Sequence, residues 1–343
     1  MNRTKFIFAS FYVLTACVTA NAQAPATQRT PPVFGTHLLT EIRMRDVCIL
    51  VDEKTKTYYA VSSGSAPAKD GLRSSTVRVY TSQDLLNWTG PATVFQTPIN
   101  MWGDTNITGI WAPEMHLYKG KYYLFLTFNT DAQFPEQWRD WLPRVKRGSQ
   151  VLVSDSILGP FKPFEAHSTL PVDMMTLDGT LWVEDGVPYM VFAHEWVQIK
   201  DGTVEFIRLK DDLSATSGEP KRLFNGSDAP WSRKNESYGC TVTDGPFLHR
   251  SKSGKLFMLW SSFSTGGYTT GVAISDSGKL AGPWRQQAEP IYAADGGHPM
   301  LFNRLDGQLM MVLHSPNKEM ERGRIFEMDD TGETLRLKNA TPK

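Results

Sequence analysis

The sequence predicts an all-β protein folded as a five-bladed β-propeller, and two observations lead to this prediction. The first is a hairpin pattern without helical period: a short apolar strand, a turn rich in Asp, Lys and Gly, and a second strand rich in aromatic, aliphatic and Met residues. The second is recurrence, because the hairpins open at positions 46, 112, 178, 244 and 298, which stand 66, 66, 66 and 54 residues apart. The five hairpins occupy residues 46–63, 112–129, 178–196, 244–263 and 298–317.

These openings are expected to meet in space. The blades of a propeller are four-stranded sheets arranged radially, and the first strand of every blade lines the central channel. Residues that open the inner strands therefore converge, although they are dispersed between positions 46 and 298. We interpret the outer Ser-Asp and Gly-Pro-aromatic segments as structural turns, because short polar side chains and Gly-Pro pairs are typical of turns.

The composition favours an uncharged partner. Lys and Arg total 36, as do Asp and Glu, so no net charge attracts nucleic acid or an anionic membrane. Hydrophobic residues make up 41% of the chain, which is sufficient for the core of a folded domain. The 10 Trp residues offer flat faces for sugar rings, although burial is the default for any one Trp. We therefore expect a carbohydrate substrate, no nucleic acid, and a monomer.

The N-terminal segment is predicted to direct export. Residues 1–22 have the basic start, short apolar run and small-residue cleavage site of a signal peptide. The run before Cys17 is equally typical of a lipoprotein signal, which would make Cys17 a lipid anchor. A Pro/Thr/Gln linker over residues 23–33 follows, and the catalytic propeller would take residues 34–343. We expect an exported protein without a membrane span, either periplasmic, secreted or anchored as a lipoprotein.

Two cysteines remain after this leader, Cys48 and Cys240. They fall on inner strands of the first and fourth units, which need not be close to each other. We therefore expect buried free thiols rather than a disulfide. Three cysteines without paired spacing also argue against a zinc site.

Three openings carry a carboxyl group suited to chemistry on a glycosidic bond. Asp46, Asp178 and Asp244 open the first, third and fourth units at positions that the spacing makes equivalent. Such hydrolysis needs one carboxylic acid that protonates the departing oxygen and one carboxylate that activates water or attacks the anomeric carbon. A third carboxylate beside the acid would raise its pKa by charge repulsion. A single Asp at a strand start is more often a turn residue, so the prediction depends on the recurrence.

The openings resemble the pattern of glycoside hydrolase family 43 over nearly the whole mature chain. They read Arg45-Asp46, Trp111-Ala112-Pro113, Leu177-Asp178-Gly179, Asp244-Gly245-Pro246 and Gly297-His298, in this order. The resemblance implies a five-bladed propeller glycosidase acting on plant-type poly- or oligosaccharides, as an arabinofuranosidase, xylosidase or galactosidase. It also implies that Asp46 is the general base, that Asp178 tunes the acid, and that configuration is inverted.

One position departs from the family pattern. The general acid of the family is normally Glu in a Glu-Gly-Pro opening, whereas this chain has the shorter Asp244. Either Asp244 reaches the leaving oxygen because the substrate lies deeper, or another residue supplies the proton. Asp244 is the first candidate, because position decides the role of a carboxyl group before its pKa does. The alternatives, in order of preference, are Glu236, Glu195 and Glu114.

Further residues are candidates for binding the sugar. Trp111 and Trp182 lie on or beside inner strands and could form a platform for a sugar ring, with burial as the default interpretation. Arg322 could hold a sugar hydroxyl, with a surface salt bridge as the alternative. The resemblance implies that His298 lies near the pocket floor and holds a water or an ion. The Gly-Gly-Tyr run at 266–268 predicts a flexible loop that carries an aromatic side chain.

The competing hypothesis is a propeller that binds carbohydrate without cleaving it, which the missing Glu of the fourth opening favours. A protein-interaction propeller is disfavoured, because the periodic signatures of such repeats are absent from the sequence. The sequence also contains no phosphate-binding loop, nucleophile elbow or HExxH zinc motif. We therefore expect no required cofactor and no certain metal ligand, apart from a structural Ca²⁺ or other ion near His298.

Overall fold

Five antiparallel sheets make up the computed structural model, which describes residues 35–338. Each sheet is formed by consecutive strands of the chain, and the five sheets are the blades of a five-bladed propeller. The prediction of an all-β propeller is confirmed. The predicted signal peptide 1–22 with Cys17 and the linker 23–33 lie outside the described residues.

The blades follow the order of the chain. Blade 1 contains β1 (Gly35–Leu38), β2 (Cys48–Asp52), β3 (Thr57–Ser65), β4 (Leu72–Ser82) and β5 (Asn87–Pro98). Blade 2 contains β6 (Ile107–Tyr118), β7 (Lys121–Gln133), β8 (Val145–Ser154) and β9 (Lys162–Pro163). Blade 3 contains β10 (Thr176–Glu184), β11 (Val187–His194), β12 (Thr203–Leu209) and β13 (Thr216–Asn225).

The last two blades have the same four-stranded order. Blade 4 contains β14 (Asp244–Arg250), β15 (Leu256–Ser264), β16 (Gly267–Ser275) and β17 (Trp284–Gln286). Blade 5 contains β18 (Gly297–Asn303), β19 (Leu309–Ser315), β20 (Arg322–Asp330) and β21 (Leu335–Leu337). The helices among the described residues are short: two 3₁₀ turns, Leu39–Glu41 and Gly226–Asp228, and one α-helical turn, α1 (Trp196–Ile199). None of these helical turns among residues 35–338 could span a bilayer, since the longest has four residues.

Hydrophobic layers between neighbouring blades hold the ring together, and the alternation of side chains along each strand builds them. In β15, Met258 and Trp260 pack against blade 3, whereas Phe257 and Leu259 pack against blade 5. Successive side chains of a strand point to opposite faces, so a strand buried on both faces reads as a continuous apolar run. This explains the Leu/Phe/Met-rich second strands that the sequence repeats.

The ring closes where the segment before blade 1 meets blade 5. Arg43 forms an isolated antiparallel bridge with Arg322 at the start of β20, and the Met44 amide donates to the Glu321 carbonyl at 3.2 Å. The Arg322 guanidinium donates to the carbonyl oxygens of Thr40 and Glu321 at 2.9 and 2.8 Å. Arg322 therefore joins the two ends of the ring.

Both cysteines in the described residues are buried free thiols, as predicted. Cys48 lies at the start of β2 among the hydrophobic side chains of blade 1, and burial raises the pKa of its thiol. Cys240 lies in the connection that leads into blade 4, and burial likewise raises its pKa. Both thiols are therefore protonated near neutral pH and act as small apolar groups.

Candidate active site

In each blade, one residue of the hairpin opening lies in the left-handed backbone region. The φ values of these residues are 50° at Asp46, 44° at Ala112, 57° at Asp178, 53° at Gly245 and 55° at His298. In blades 2 to 5 the pairing register of the inner strand shifts around this residue, as it does at a β-bulge. A left-handed residue with a side chain costs about 1 to 2 kcal/mol. Because this conformation recurs in all five blades despite its cost, we infer that it directs the side chains at the openings toward the channel.

The fourth opening corrects the repeat read from the sequence. Its left-handed residue is Gly245 rather than Asp244, so the equivalent positions 46, 112, 178, 245 and 298 stand 66, 66, 67 and 53 residues apart. Asp244 instead corresponds to Trp111 and Leu177, and its predicted equivalence with the other two aspartates is wrong. The reason is steric, because a Cβ at position 245 would lie 2.8 Å from Cγ of His298, and glycine avoids this contact.

The openings form two rings of side chains. The outer ring consists of the residues just before the left-handed positions, and the inner ring of the left-handed residues themselves. Both rings line one cavity of about 550 Å³ at the mouth of the channel. Asp46, Gly245 and His298 of the inner ring also line the narrow channel below the cavity, and no residue of the outer ring does. The outer ring contributes Arg45, Trp111, Leu177 and Asp244, and the inner ring contributes Asp46, Asp178 and His298.

The cavity brings together most of the residues expected from the sequence. Asp46, Asp178, Asp244, Trp111 and His298 line it, and so does Glu195, one of the alternative acids. Glu195 follows β11 and forms an ion pair with Arg147 of β8. The three aspartates therefore share one cavity, which is the geometric requirement for joint action on a bond.

Four of the expected residues, Trp182, Arg322, Glu236 and Glu114, do not line this cavity. Trp182 packs partly buried against the layer between blades 3 and 4, and Arg250 lies over its ring at 5.4 Å. Arg322 is occupied in closing the ring. Glu236 is exposed beside Asn235, which lines the cavity in its place.

Glu114, the third alternative acid, lies in the channel below the cavity. It is buried, accepts a hydrogen bond from Thr180 Oγ1 at 2.6 Å, and lies 2.7 Å from His116 Nε2. Glu114 follows the left-handed Ala112 by two residues, and the register shift between Trp111 and Glu114 turns its side chain down the channel. A role for Glu114 as proton donor in the cavity is therefore not supported.

Asp46 is held in its charged form by two histidines. His314 Nδ1 lies 3.2 Å and His298 Nδ1 lies 3.4 Å from Asp46 Oδ1. Burial alone would raise the pKa of Asp46, but the two histidines and the neighbouring Arg45 hold this pKa well below its usual range. Asp46 is therefore a carboxylate over the working pH range of most enzymes.

Asp178 and Asp244 have the opposite electrostatic environment. Burial and the charge of Asp46 raise the pKa of Asp178, against the hydrogen bond that it accepts from the Gly245 amide at 2.9 Å. Burial, Asp178 and Glu195 raise the pKa of Asp244 to about 8, against the hydrogen bond that it accepts from the Tyr268 hydroxyl at 2.9 Å. Asp244 is therefore protonated at neutral pH, whereas Asp46 is not.

Two further residues complete this arrangement: His314, which the sequence did not single out, and Tyr268, which the sequence placed only in a flexible loop. His314 of β19 is fully buried behind Asp46, and its ring stacks on Tyr268 at a centroid distance of 5.5 Å. Tyr268 belongs to β16 rather than to a flexible loop, because the turn ends at Gly267, whose φ is 88°. Neither residue recurs between blades, so the repeat gave no signal for them.

Trp111 presents a flat surface to the cavity, as the sequence suggested. The residue is 38% exposed, and the Arg147 guanidinium lies over its ring at 4.2 Å. Arg147 is fixed by its ion pair with Glu195 and by a bond to Asn129 Oδ1 at 2.8 Å. The remaining surface of the Trp111 ring is therefore held rigidly against the cavity, in the manner of a sugar platform.

A propeller that brings three aspartates into one cavity at its channel mouth has the arrangement expected of a glycoside hydrolase. The chain belongs to glycosyl hydrolases family 43, whose family model matches residues 39–341. The resemblance read from the openings is thereby confirmed.

The chain is similar over most of its length to several named proteins. The structure of an endo-arabinase from Bacteroides thetaiotaomicron is 38% identical, with a TM-score of 0.72 over 85% of this chain and 96% of that one. An extracellular exo-α-(1→5)-L-arabinofuranosidase from Streptomyces avermitilis is 26% identical over 83% of this chain. An α-L-arabinofuranosidase B from Pyricularia oryzae is 24% identical over 94% of it. The chain spans 55% and 65% of the length of these two curated relatives.

Proposed function

We propose that the protein is an exported, inverting hydrolase that cleaves L-arabinofuranosyl linkages in plant-type poly- or oligosaccharides. The observation that carries this proposal is the opposite protonation of Asp46 and Asp244 in one cavity. Pairs of carboxyl groups whose environments push their pKa values apart are typical of a base and an acid in the same reaction.

In the proposed reaction Asp46 acts as general base and Asp244 as general acid. Asp46 takes a proton from a water molecule, whose oxygen attacks the anomeric carbon from the face opposite the leaving group. As the bond to the leaving oxygen breaks, Asp244 delivers its proton to that oxygen, and the products are a free sugar of inverted configuration and a shortened chain. The Tyr268 hydroxyl donates to Asp244 Oδ2, which leaves Oδ1 to carry the proton.

Asp178 is proposed to tune and orient the acid. Its Oδ2 accepts from the amide of Gly245, the residue directly after Asp244. Its proximity also raises the pKa of Asp244, so it fixes both the backbone position and the protonation of the acid.

The names of the relatives support arabinofuranose as the sugar, and the sequence supports export. Two curated relatives are arabinofuranosidases and one solved relative is an endo-arabinase. The signal-peptide pattern of residues 1–22 is the support for export, with a lipid anchor at Cys17 as the alternative to release. We also propose a monomer.

A structural Ca²⁺ near His298 remains a proposal. No group of three or more His, Cys, Asp or Glu side chains among residues 35–338 is arranged to hold a metal ion. Carbonyl oxygens and water would therefore have to supply most ligands of such an ion, which Ca²⁺ accepts readily.

The pH dependence of hydrolysis should show Asp244 on its alkaline side. An acid catalyst works only while protonated, so kcat/KM should fall about tenfold per pH unit above the pKa of about 8 that burial gives Asp244. Asp178→Asn should move this limb to lower pH, because the charge of Asp178 contributes to raising that pKa. Profiles of kcat/KM over about five pH units, from pH 5 to 10, on an unactivated arabino-oligosaccharide would measure both the alkaline fall and its shift in the variant. A wild-type rate that stays constant above pH 9, about one unit beyond the transition, would contradict the assignment.

The products provide the direct test of the reaction itself. Proton NMR during hydrolysis of linear arabinan and of arabino-oligosaccharides identifies both the sugar released and its first-formed anomer. We expect arabinose or short arabino-oligosaccharides whose new reducing end first appears in the inverted configuration. Initial retention would contradict the mechanism, and binding without any release from arabinosides, xylosides and galactosides would favour the non-catalytic alternative.

A further inference from the structure

A cluster of aromatic side chains lies beside the cavity and has no part in the proposed reaction. It consists of Trp138, Trp141, Trp196 and Tyr238, which we call the aromatic wall. Trp138 and Trp141 lie between β7 and β8, Trp196 begins α1, and Tyr238 lies between β13 and β14. Three separate connections of three blades therefore bring their rings together.

Trp141 is the centre of the wall. Its ring centroid lies 5.8 Å from Trp138, 6.0 Å from Trp196 and 5.7 Å from Tyr238. Its indole nitrogen donates to the Val197 carbonyl at 2.7 Å, which fixes the orientation of the ring. The wall is thus a preorganised surface, and preorganisation lowers the entropic cost of binding.

The wall continues the cavity. Trp196 belongs to both, and its neighbours in the cavity lining include Leu142 and Val197 from the same two connections. At the other end Tyr238 is 41% exposed, so the surface extends from the cavity to solvent. A chain that leaves the cavity in this direction would pass along aromatic faces.

Tyr238, at the exposed end of the wall, lies on the connection that leads to the acid. Tyr238 precedes Asp244 by six positions, and Asn235 and Val242 of the same connection line the cavity. Because the general acid protonates the leaving oxygen, the leaving group occupies the acid's side of the cavity. The wall is therefore placed to contact the part of the substrate that departs.

Two cations lie against the wall, and the charge of one of them is balanced by a carboxylate. Arg144 lies over the Trp138 ring at 4.7 Å and pairs with Glu136 at 3.3 Å. Lys200 lies 5.3 Å from the Trp138 ring and 5.8 Å from the Trp141 ring. Both cations are thus already engaged with aromatic faces or a carboxylate.

We propose that the aromatic wall binds the leaving-group side of a neutral pentose chain, several sugars beyond the scissile bond. This inference rests on the proposed function for the direction of the chain. The wall then contributes to the binding of oligosaccharides and polysaccharides and has little contact with a substrate whose leaving group is a single small ring.

The test compares a long with a short substrate. Wild type, Tyr238→Ala and Trp138→Ala are assayed on arabinopentaose and on nitrophenyl arabinofuranoside. We expect the ratio of kcat/KM on the pentasaccharide to kcat/KM on the nitrophenyl substrate to fall about tenfold in each variant, the size expected for the loss of one stacked ring. The change should appear in KM. Tyr238→Phe should keep the wild-type ratio, because it preserves the ring.

Leu158→Ala is the matched control, since Leu158 is an exposed apolar residue on the outer side of blade 2. It should leave both rates unchanged. An unchanged ratio in both wall variants, or a fall in kcat alone, would overturn the proposal.

Binding separates this proposal from the proposed function. Affinities of Asp46→Asn protein for arabinopentaose, arabinobiose and xylopentaose are measured by calorimetry with and without Tyr238→Ala. If a pentasaccharide binds more tightly than the disaccharide only while Tyr238 is present, the wall is a chain-binding surface even if the sugar proves to be xylose. If the wild type cleaves arabinan but Tyr238→Ala leaves pentasaccharide affinity unchanged, the wall proposal fails and the proposed function stands.

Discussion

Asp46→Asn should lower kcat on arabino-oligosaccharides by about 10²- to 10⁴-fold, the usual contribution of a general base. The amide cannot take a proton from water, yet it has nearly the same size and can still accept hydrogen bonds from the cavity. Substrate affinity should therefore stay within a few-fold of wild type. Single-turnover rates, together with calorimetric binding of an arabino-oligosaccharide, would measure the two effects separately.

A surface variant controls for nonspecific effects of the substitution. Asp155 lies in an outer turn of blade 2 and its side chain is 88% exposed, so Asp155→Asn should behave as wild type. If Asp46→Asn kept a rate within about tenfold of wild type, Asp46 would be removed as the base, since that loss is too small for one. Loss of binding together with rate would instead indicate a damaged cavity.

Asp244→Asn should have an effect that depends on the leaving group. On linear arabinan, whose departing sugar oxygen is strongly basic, the rate should fall about 10²- to 10⁴-fold. On nitrophenyl arabinofuranoside the loss should be about tenfold or less, because nitrophenolate departs with little help from a proton. The alkaline limb near pH 8 should also disappear, since the group responsible for it has been removed. Steady-state rates on both substrates across pH would measure these effects.

Glu195→Gln is the informative comparison for that variant. Glu195 lines the same cavity, and burial raises its pKa, although its ion pair with Arg147 opposes this. We expect its loss to affect the two substrates alike, because a carboxylate paired with Arg147 positions that side chain rather than donating a proton. If the dependence on the leaving group appeared in Glu195→Gln and not in Asp244→Asn, Glu195 would be the acid.

Asp244, which has a shorter side chain than the Glu of the family pattern, is held by Tyr268 and, through Tyr268, by His314. Tyr268 is buried and donates to it, and the stacking of Tyr268 on His314 connects the environments of acid and base. His314 in turn lies 3.2 Å from Asp46. The two carboxyl groups are thus positioned by one continuous set of contacts between blades 1, 4 and 5.

The repeated hairpins were sufficient to predict the fold and which part of it holds the site. Alternating burial and turn residues are local features, so they can be read directly from the sequence. In a propeller, residues that recur at the openings of the inner strands lie close to one another around the channel. The pattern thereby placed Asp46, Asp178 and His298 together. The repeat spacing places the fourth opening one residue too early, because a sequence does not show which residue of Asp244-Gly245 takes the left-handed conformation.

The number of blades, the channel as the location of the site and the carboxyl groups available there all follow from periodicity and residue type, so they could be inferred from the chain alone. The protonation of those groups, the positions of Trp182, Arg322 and Glu236 outside the cavity, and the aromatic wall became evident from the folded molecule. Desolvation and charge interactions depend on which side chains approach within a few ångströms, and those neighbours come from distant blades. Residues that act once, such as His314 and Tyr268, leave no periodic trace in the chain.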